Sequence, residues 1–168
     1  PDICANPFYS LMGDQSFIFT EASLNNVLGH FGYRVKLVNN DYFLRELLVT
    51  AQKDESVDLS SYKENNLFEK NIETINRIKE ELENINDQNL AVLGTTVNAA
   101  FVDEIIGQRI QSFVDENLSK IGKTFREKNV VHPKNLNDIS HTILPYGESG
   151  NKIRERFEKL YGGRFTVI

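Results

Sequence analysis

The sequence predicts an α/β fold whose last half is a parallel sheet with crossover helices. Two observations predict it. From Leu90 onward, short apolar runs alternate with segments of helical length, the pattern of strands joined by crossover helices. Three of these runs stop at a turn or breaker residue, Gly94, Asp115 and Pro145, and the last helical segment stops at Gly162. The composition, 40% hydrophobic and 26% charged over 168 residues, is that of a chain able to bury a core. The arrangement is that of a Rossmann-like domain at the C-terminus, preceded by a helix plus β-hairpin and a long linker helix.

Three zones follow, at residues 1–54, 55–87 and 88–168. In the first, Thr20 is a good helix N-cap. The helix opening at Glu21 carries Leu24, Val27, Leu28 and Phe31 on one stripe and ends at Gly32. Tyr33 to Val38 alternates as a strand does, Asn39-Asn40-Asp41 is turn chemistry, and Leu44 to Ala51 reads as a second strand, closing a hairpin. The second zone is polar and acidic. Within it Phe68, Ile72, Ile75, Ile78, Leu82 and Ile85 fall at helical spacing, which predicts one long amphipathic helix packing on its neighbour.

In the third zone Leu90 to Leu93 is a short buried strand ending at Gly94, and a helix runs from Thr96 to Ile106, closed by Gly107. Ile110 to Val114 is a second strand, Val130-Val131 a third, and Thr142 to Leu144 a fourth, stopped by Pro145. Asn151 to Tyr161 is a helix with Ile153, Phe157 and Leu160 inward, and Arg164 to Ile168 is a last strand. Strands separated by helices imply parallel pairing.

Composition excludes several function classes. A net charge of −5 without a basic cluster argues against nucleic-acid binding. No apolar run approaches the roughly 20 residues of a membrane span. Cys4 is the only cysteine, so neither an internal disulfide nor a cysteine zinc site can form, and a reducing, cytoplasmic setting fits. His30, His132 and His141 lack metal-ligand spacing and read as surface or loop residues.

A strand, a glycine, a helix and a second strand ending in acid is the layout of a mononucleotide-binding unit. Asp115 lies where a ribose-binding carboxylate would. The turn itself reads Gly94-Thr95-Thr96-Val97-Asn98-Ala99. It lacks the second glycine that lets a pyrophosphate approach the backbone, so a structural turn with Thr95 or Thr96 as N-cap is the favoured reading. Cofactor binding is the alternative. Lys120 and Lys123, flanking Gly122, read as a solvated basic loop, with a phosphate contact as the sharper alternative.

The first zone resembles the late part of a class I S-adenosylmethionine-dependent methyltransferase domain. The residues that carry the likeness are Asn6-Pro7-Phe8-Tyr9, Asp14-Gln15, Phe17-Ile18-Phe19-Thr20-Glu21, Leu24, Leu28, Phe31-Gly32-Tyr33 and the closing strand Glu46-Leu47-Leu48-Val49. The third zone resembles the Rossmann-like C-terminal domain of bacterial sugar C-methyltransferases. It does so through Phe113-Val114-Asp115-Glu116-Asn117, Lys120-Ile121-Gly122-Lys123, His132-Pro133 and Ile143-Leu144-Pro145-Tyr146. In that family this domain walls the acceptor site and does not hold the methyl donor.

The resemblance makes residues 1–54 the remnant of a methyltransferase domain. It implies methyl transfer to a small acceptor, plausibly a nucleotide-linked sugar of surface-polysaccharide biosynthesis. Tyr9 is then a substrate contact, and Asp14 and Gln15 are the catalytic candidates. Gln15 stands where the family has a histidine, and Tyr9 where it has an aspartate: either Asp14 takes the role of base, or the base lies elsewhere, or catalysis in this relative is altered or lost. No Asp/Glu-x-Gly-x-Gly occurs in the chain. The S-adenosylmethionine-binding half is therefore the expected partner, no cofactor is expected in this chain alone, and the isolated chain is expected to be inactive. A non-catalytic nucleotide- or anion-binding module, or an oligomerisation module forming a homodimer, is the alternative. One helix and a hairpin cannot build a core, so this unit should dock on the C-terminal domain or self-associate.

Overall fold

The computed structural model describes residues 7–8, 19–39, 47–54, 56, 66–136 and 141–168. The first helix, α1 (Glu21–His30), begins as Thr20 predicts. The Thr20 hydroxyl accepts from the Ser23 amide at 3.1 Å, and the Ser23 hydroxyl accepts from the Thr20 amide at 2.8 Å. This reciprocal box satisfies two donors that the helix itself cannot. Gly32, at φ +75°, turns the chain into β1 (Tyr33–Asn39), which pairs antiparallel with β2 (Leu48–Lys53) around a bulge between Val35 and Leu37.

The second strand runs two residues further than its apolar pattern predicts. Gln52 and Lys53 still pair with Arg34 and Tyr33, because the length of the partner strand sets the end of an exposed ladder, not the polarity of its residues. Residues 44–46 of the expected strand lie outside the described ones.

The linker helix α2 (Leu67–Glu83) buries Ile75, Ile78 and Leu82, as its periodicity predicts. Ile72 departs from that stripe at 41% exposure, while Asn71 is buried. The inward face is rotated toward the N-terminal segment: the Asn71 side-chain amide donates to the Pro7 carbonyl at 3.4 Å. Phe8 lies fully buried, edge-on to Phe101 with ring centroids 5.5 Å apart. The Arg109 guanidinium takes up carbonyls at the far end of α2, donating to Leu82 at 3.0 Å and also to Ile85. A cation there offsets the negative end of the helix.

The remaining elements are β3 (Leu90–Leu93), α3 (Val97–Ile106), β4 (Ile110–Val114), β5 (Thr124–Phe125), β6 (Lys128–Val131), β7 (His141–Leu144), α4 (Gly150–Tyr161) and β8 (Phe165–Val167). They form one six-stranded sheet in the order β5-β6-β4-β3-β7-β8. All neighbours are parallel except β5 with β6. Numbered by their order in the chain, the five parallel strands read 3-2-1-4-5, the order of a Rossmann sheet.

β5 is not foreseen from the sequence, because two residues carry no alternation. It returns to β6 through Arg126 and Glu127, both left-handed at φ 46° and 65°. On one face, Ile78, Leu82, Val102 and Ile106 from α2 and α3 meet Leu90, Val92, Phe113 and Ile143. On the other, Phe157 of α4 packs on Ala91, Leu93, Val114, Leu144 and Phe165. The β1–β2 pair is a separate two-stranded sheet. Among the described residues, no helix is long and apolar enough to cross a membrane.

Candidate functional site

In an open parallel sheet, ligands rest outside the carboxyl ends of the strands where the order reverses. Here that point lies between β3 and β7. Gly94 leaves β3 at φ +93°, its amide donating to the Val114 carbonyl at 2.7 Å. Thr96 occupies the N-cap position of α3, but its side chain makes no capping bond, so the expected cap is one of position only. Asn98, one residue before the third fingerprint position at Ala99, is buried and donates to the Pro145 carbonyl at 2.7 Å. This bond holds the loop after β7 against α3.

Asp115 lies at the end of β4, as the sequence predicts for an acidic strand end. Its Oδ1 accepts from the Asn117 amide at 2.9 Å, Lys120 Nζ meets its Oδ2 at 3.0 Å, and Thr95 Oγ1 lies 3.5 Å from that oxygen. Lys120 is thus an internal partner of the acid, while Lys123 is exposed. Tyr146 reaches back over the turn: its hydroxyl would stand 2.5 Å from a Cβ placed on Gly94. Burial, with the Asp115 charge as a smaller cause, pushes this phenol above the ordinary tyrosine range. The neighbouring Glu116 accepts from the Tyr161 hydroxyl at 2.8 Å and pairs with Arg156, which ties α4 to the same corner. The Tyr146 hydroxyl thus stands in the space that a side chain at Gly94 would enter.

A second polar cluster sits at the amino end of β7, and here the sequence reading is corrected. His141 is a core residue with 2% exposure, not a surface or loop one. Its Nδ1 lies 2.9 Å from Asp87 Oδ2, and its Nε2 lies 2.7 Å from the Thr166 hydroxyl. Arg164 donates to the same Asp87 oxygen at 3.1 Å. An ionised carboxylate only accepts, so Nδ1 carries a proton, and the hydroxyl serves Nε2 in either charge state of the ring. The hydrogen bond to His141 holds the Asp87 carboxyl below the usual range, with Arg164 adding to the effect. A cavity of about 460 Å³ opens beside these four side chains.

The arrangement fastens the segment after α2 to β7 and β8. The signal was out of reach in the sequence, since Asp87 and His141 are 54 positions apart. His132 behaves as a loop residue, accepting from the Lys134 amide at 3.2 Å, and His30 is exposed at the end of α1. No group of three or more metal-ligating side chains occurs among the described residues.

Tyr9, Asp14 and Gln15 lie outside the described residues. The structure brings their neighbours Pro7 and Phe8 to the α2–α3 face of the sheet.

Comparison with known proteins adds little. No family model and no curated protein matches the chain. Among solved structures, RSP in complex with β-NADH is similar at a TM-score of 0.35 and 11% identity, over 61% of this chain and 68% of that one. A likeness this slight has no bearing on ligand or activity.

Proposed function

We propose that the chain is the C-terminal portion of an S-adenosylmethionine-dependent methyltransferase, supplying acceptor-side and structural elements for transfer to a nucleotide-linked sugar or similar small acceptor. One observation carries the reading: α1, β1 and β2 form a helix and a two-stranded sheet that, among the described residues, pairs with no other strand. Phe31 at 70% exposure and Leu37 at 52%, with Tyr33 and Leu48, remain open to water. A unit of this size cannot bury enough apolar surface to stand alone. It has the form of the last strands of a larger sheet.

Within this proposal, Tyr9 contacts the acceptor and Asp14 is the base that deprotonates it, with Gln15 beside it as a hydrogen-bonding group. The donor sits in the partner half. Methyl transfer requires the acceptor atom in line with the sulfonium, which is a task of positioning rather than covalent chemistry. The test is methyl transfer from labelled S-adenosylmethionine to nucleotide-linked sugars. The chain alone and the product of the same reading frame extended upstream of Pro1 are assayed side by side. The extended protein is expected to carry a strand followed by Asp/Glu-x-Gly-x-Gly and to transfer the label, while the chain alone does not. An extended frame without that motif overturns the proposal.

A further inference from the structure

The strand order, the left-handed Gly94 and an acidic end on the neighbouring strand assemble most of a mononucleotide site. What closes it is one side chain. Among the described residues beyond Gly94 and its chain neighbours, the heavy atoms within 4 Å of the point where a Gly94 Cβ would stand both belong to Tyr146: the hydroxyl at 2.5 Å and Cζ at 3.6 Å.

The ring is held there by its backbone. The Tyr146 amide donates to Leu144 at 2.9 Å, its carbonyl accepts from the Ser149 hydroxyl at 2.6 Å, and the preceding Pro145 carbonyl is held by buried Asn98 at 2.7 Å. Asp115, whose Oδ2 lies 3.5 Å from the Thr95 hydroxyl, is oriented by the Asn117 amide on Oδ1 and carries Lys120 on Oδ2. A carboxylate able to accept from ribose hydroxyls and an ammonium able to meet phosphate thus flank the turn.

We propose that Tyr146 is a built-in plug that excludes a nucleoside diphosphate from the β3–β7 crevice, and that Gly94, Asp115 and Lys120 form the site it covers. Without the ring, phosphate approaches the Gly94 backbone as only a glycine permits. A ribose hydroxyl takes over the Asp115 oxygen that Lys120 now holds, and the released ammonium faces the phosphate. The inference rests on the six-stranded sheet alone and is independent of the methyltransferase reading.

The test is calorimetric titration of the full chain with ADP. Tyr146→Ala is expected to bind at least about tenfold more tightly than the unmodified chain. Tyr146→Phe keeps the ring and should bind no better than the unmodified chain. Adding Asp115→Asn to Tyr146→Ala should remove the gain. Tyr146→Ser gives a second route to an open crevice, and thermal melts establish that each variant is folded. The unmodified chain provides a measurement that needs no variant: its Gly94 amide resonance should not shift with ADP at millimolar concentration. The proposal fails if folded Tyr146→Ala and Tyr146→Ser bind no better than the unmodified chain. It also fails if Asp115→Asn leaves the gain intact, or if ADP shifts the Gly94 amide of the unmodified chain.

Discussion

At Gly94 a side chain meets two separate obstacles. The backbone angle of +93° is one that L residues rarely adopt, and the Tyr146 hydroxyl occupies the Cβ position. Left-handed strain alone costs about 1–2 kcal/mol, so Gly94→Ala is expected to lower stability by roughly 2–3 kcal/mol in urea unfolding. Repeating the substitution in a Tyr146→Phe background separates the two causes. The remaining ring carbon at 3.6 Å is in ordinary contact, so only the strain should persist. The Asp87–His141 pair gives a second expectation at this scale. A carboxyl held below its unfolded value contributes stability that is present above about pH 4 and is lost as pH falls through the folded pKa. Asp87→Asn should therefore destabilise the protein at neutral pH, and the gap between variant and parent should narrow in acid melts below about pH 4. A gap of constant size down to pH 2 would show that the charge of Asp87 is not what His141 and Arg164 hold. The glycine was legible in the sequence because a backbone requirement is local. His141 was not, because its partners arrive from a linker and an edge strand whose positions only the folded sheet defines.

The β5–β6 hairpin shows how an element can be held against its own local preference. Neither Arg126 nor Glu127 favours the left-handed region that both occupy. The compensation comes from α3. Asp103, nearly buried, accepts from Arg126 Nε at 2.5 Å and Lys128 Nζ at 2.7 Å, and Glu104 takes Arg126 Nη2 at 2.7 Å. The hydrogen bond to Asp103 also raises the Arg126 pKa further, so the guanidinium stays charged. Two outcomes follow with opposite signs. Glu127→Gly relieves a left-handed angle at an exposed position and is expected to raise stability by about 0.5–1 kcal/mol in chemical denaturation. Asp103→Ala removes the carboxylate that Arg126 and Lys128 share, leaving Glu104 to hold Arg126, and is expected to lower stability, with faster hydrogen exchange at the amides of β6. All five parallel strands and both crossover helices of the C-terminal unit were readable from their apolar runs, although Leu160, expected inward on α4, is 57% exposed. The hairpin was not, since it depends on charges 22 to 25 positions away.

Across the whole molecule, cooperativity is unevenly distributed. Phe8 lies in the same apolar cluster as Leu82, Val92, Val102 and Ile143, so a residue early in the chain is part of the six-stranded unit. The sequence motif containing Phe8 placed it with the first zone, because a pattern of neighbours cannot report a contact with Phe101. The β1–β2 sheet, by contrast, exposes most of its residues and, among the described residues, is joined to the larger sheet by no strand pairing. Backbone opening should then follow two free energies. Amides in β3, β4 and β7 should exchange only through global unfolding, and those in β1 and β2 through a local opening of much lower cost. Phe8→Ala separates the two. Removing a fully buried phenyl ring costs about 3–5 kcal/mol where the site cannot collapse, and this loss should appear in full at Val92 and Phe113. The amides of Val35 and Val49 should keep their original rates, because their opening does not require the core to which Phe8 belongs. Equal slowing of exchange in both sheets, or an equal response of both to Phe8→Ala, would mean that the hairpin unfolds with the core. The exposed two-stranded sheet would then no longer support the reading of residues 1–54 as the end of a sheet begun elsewhere.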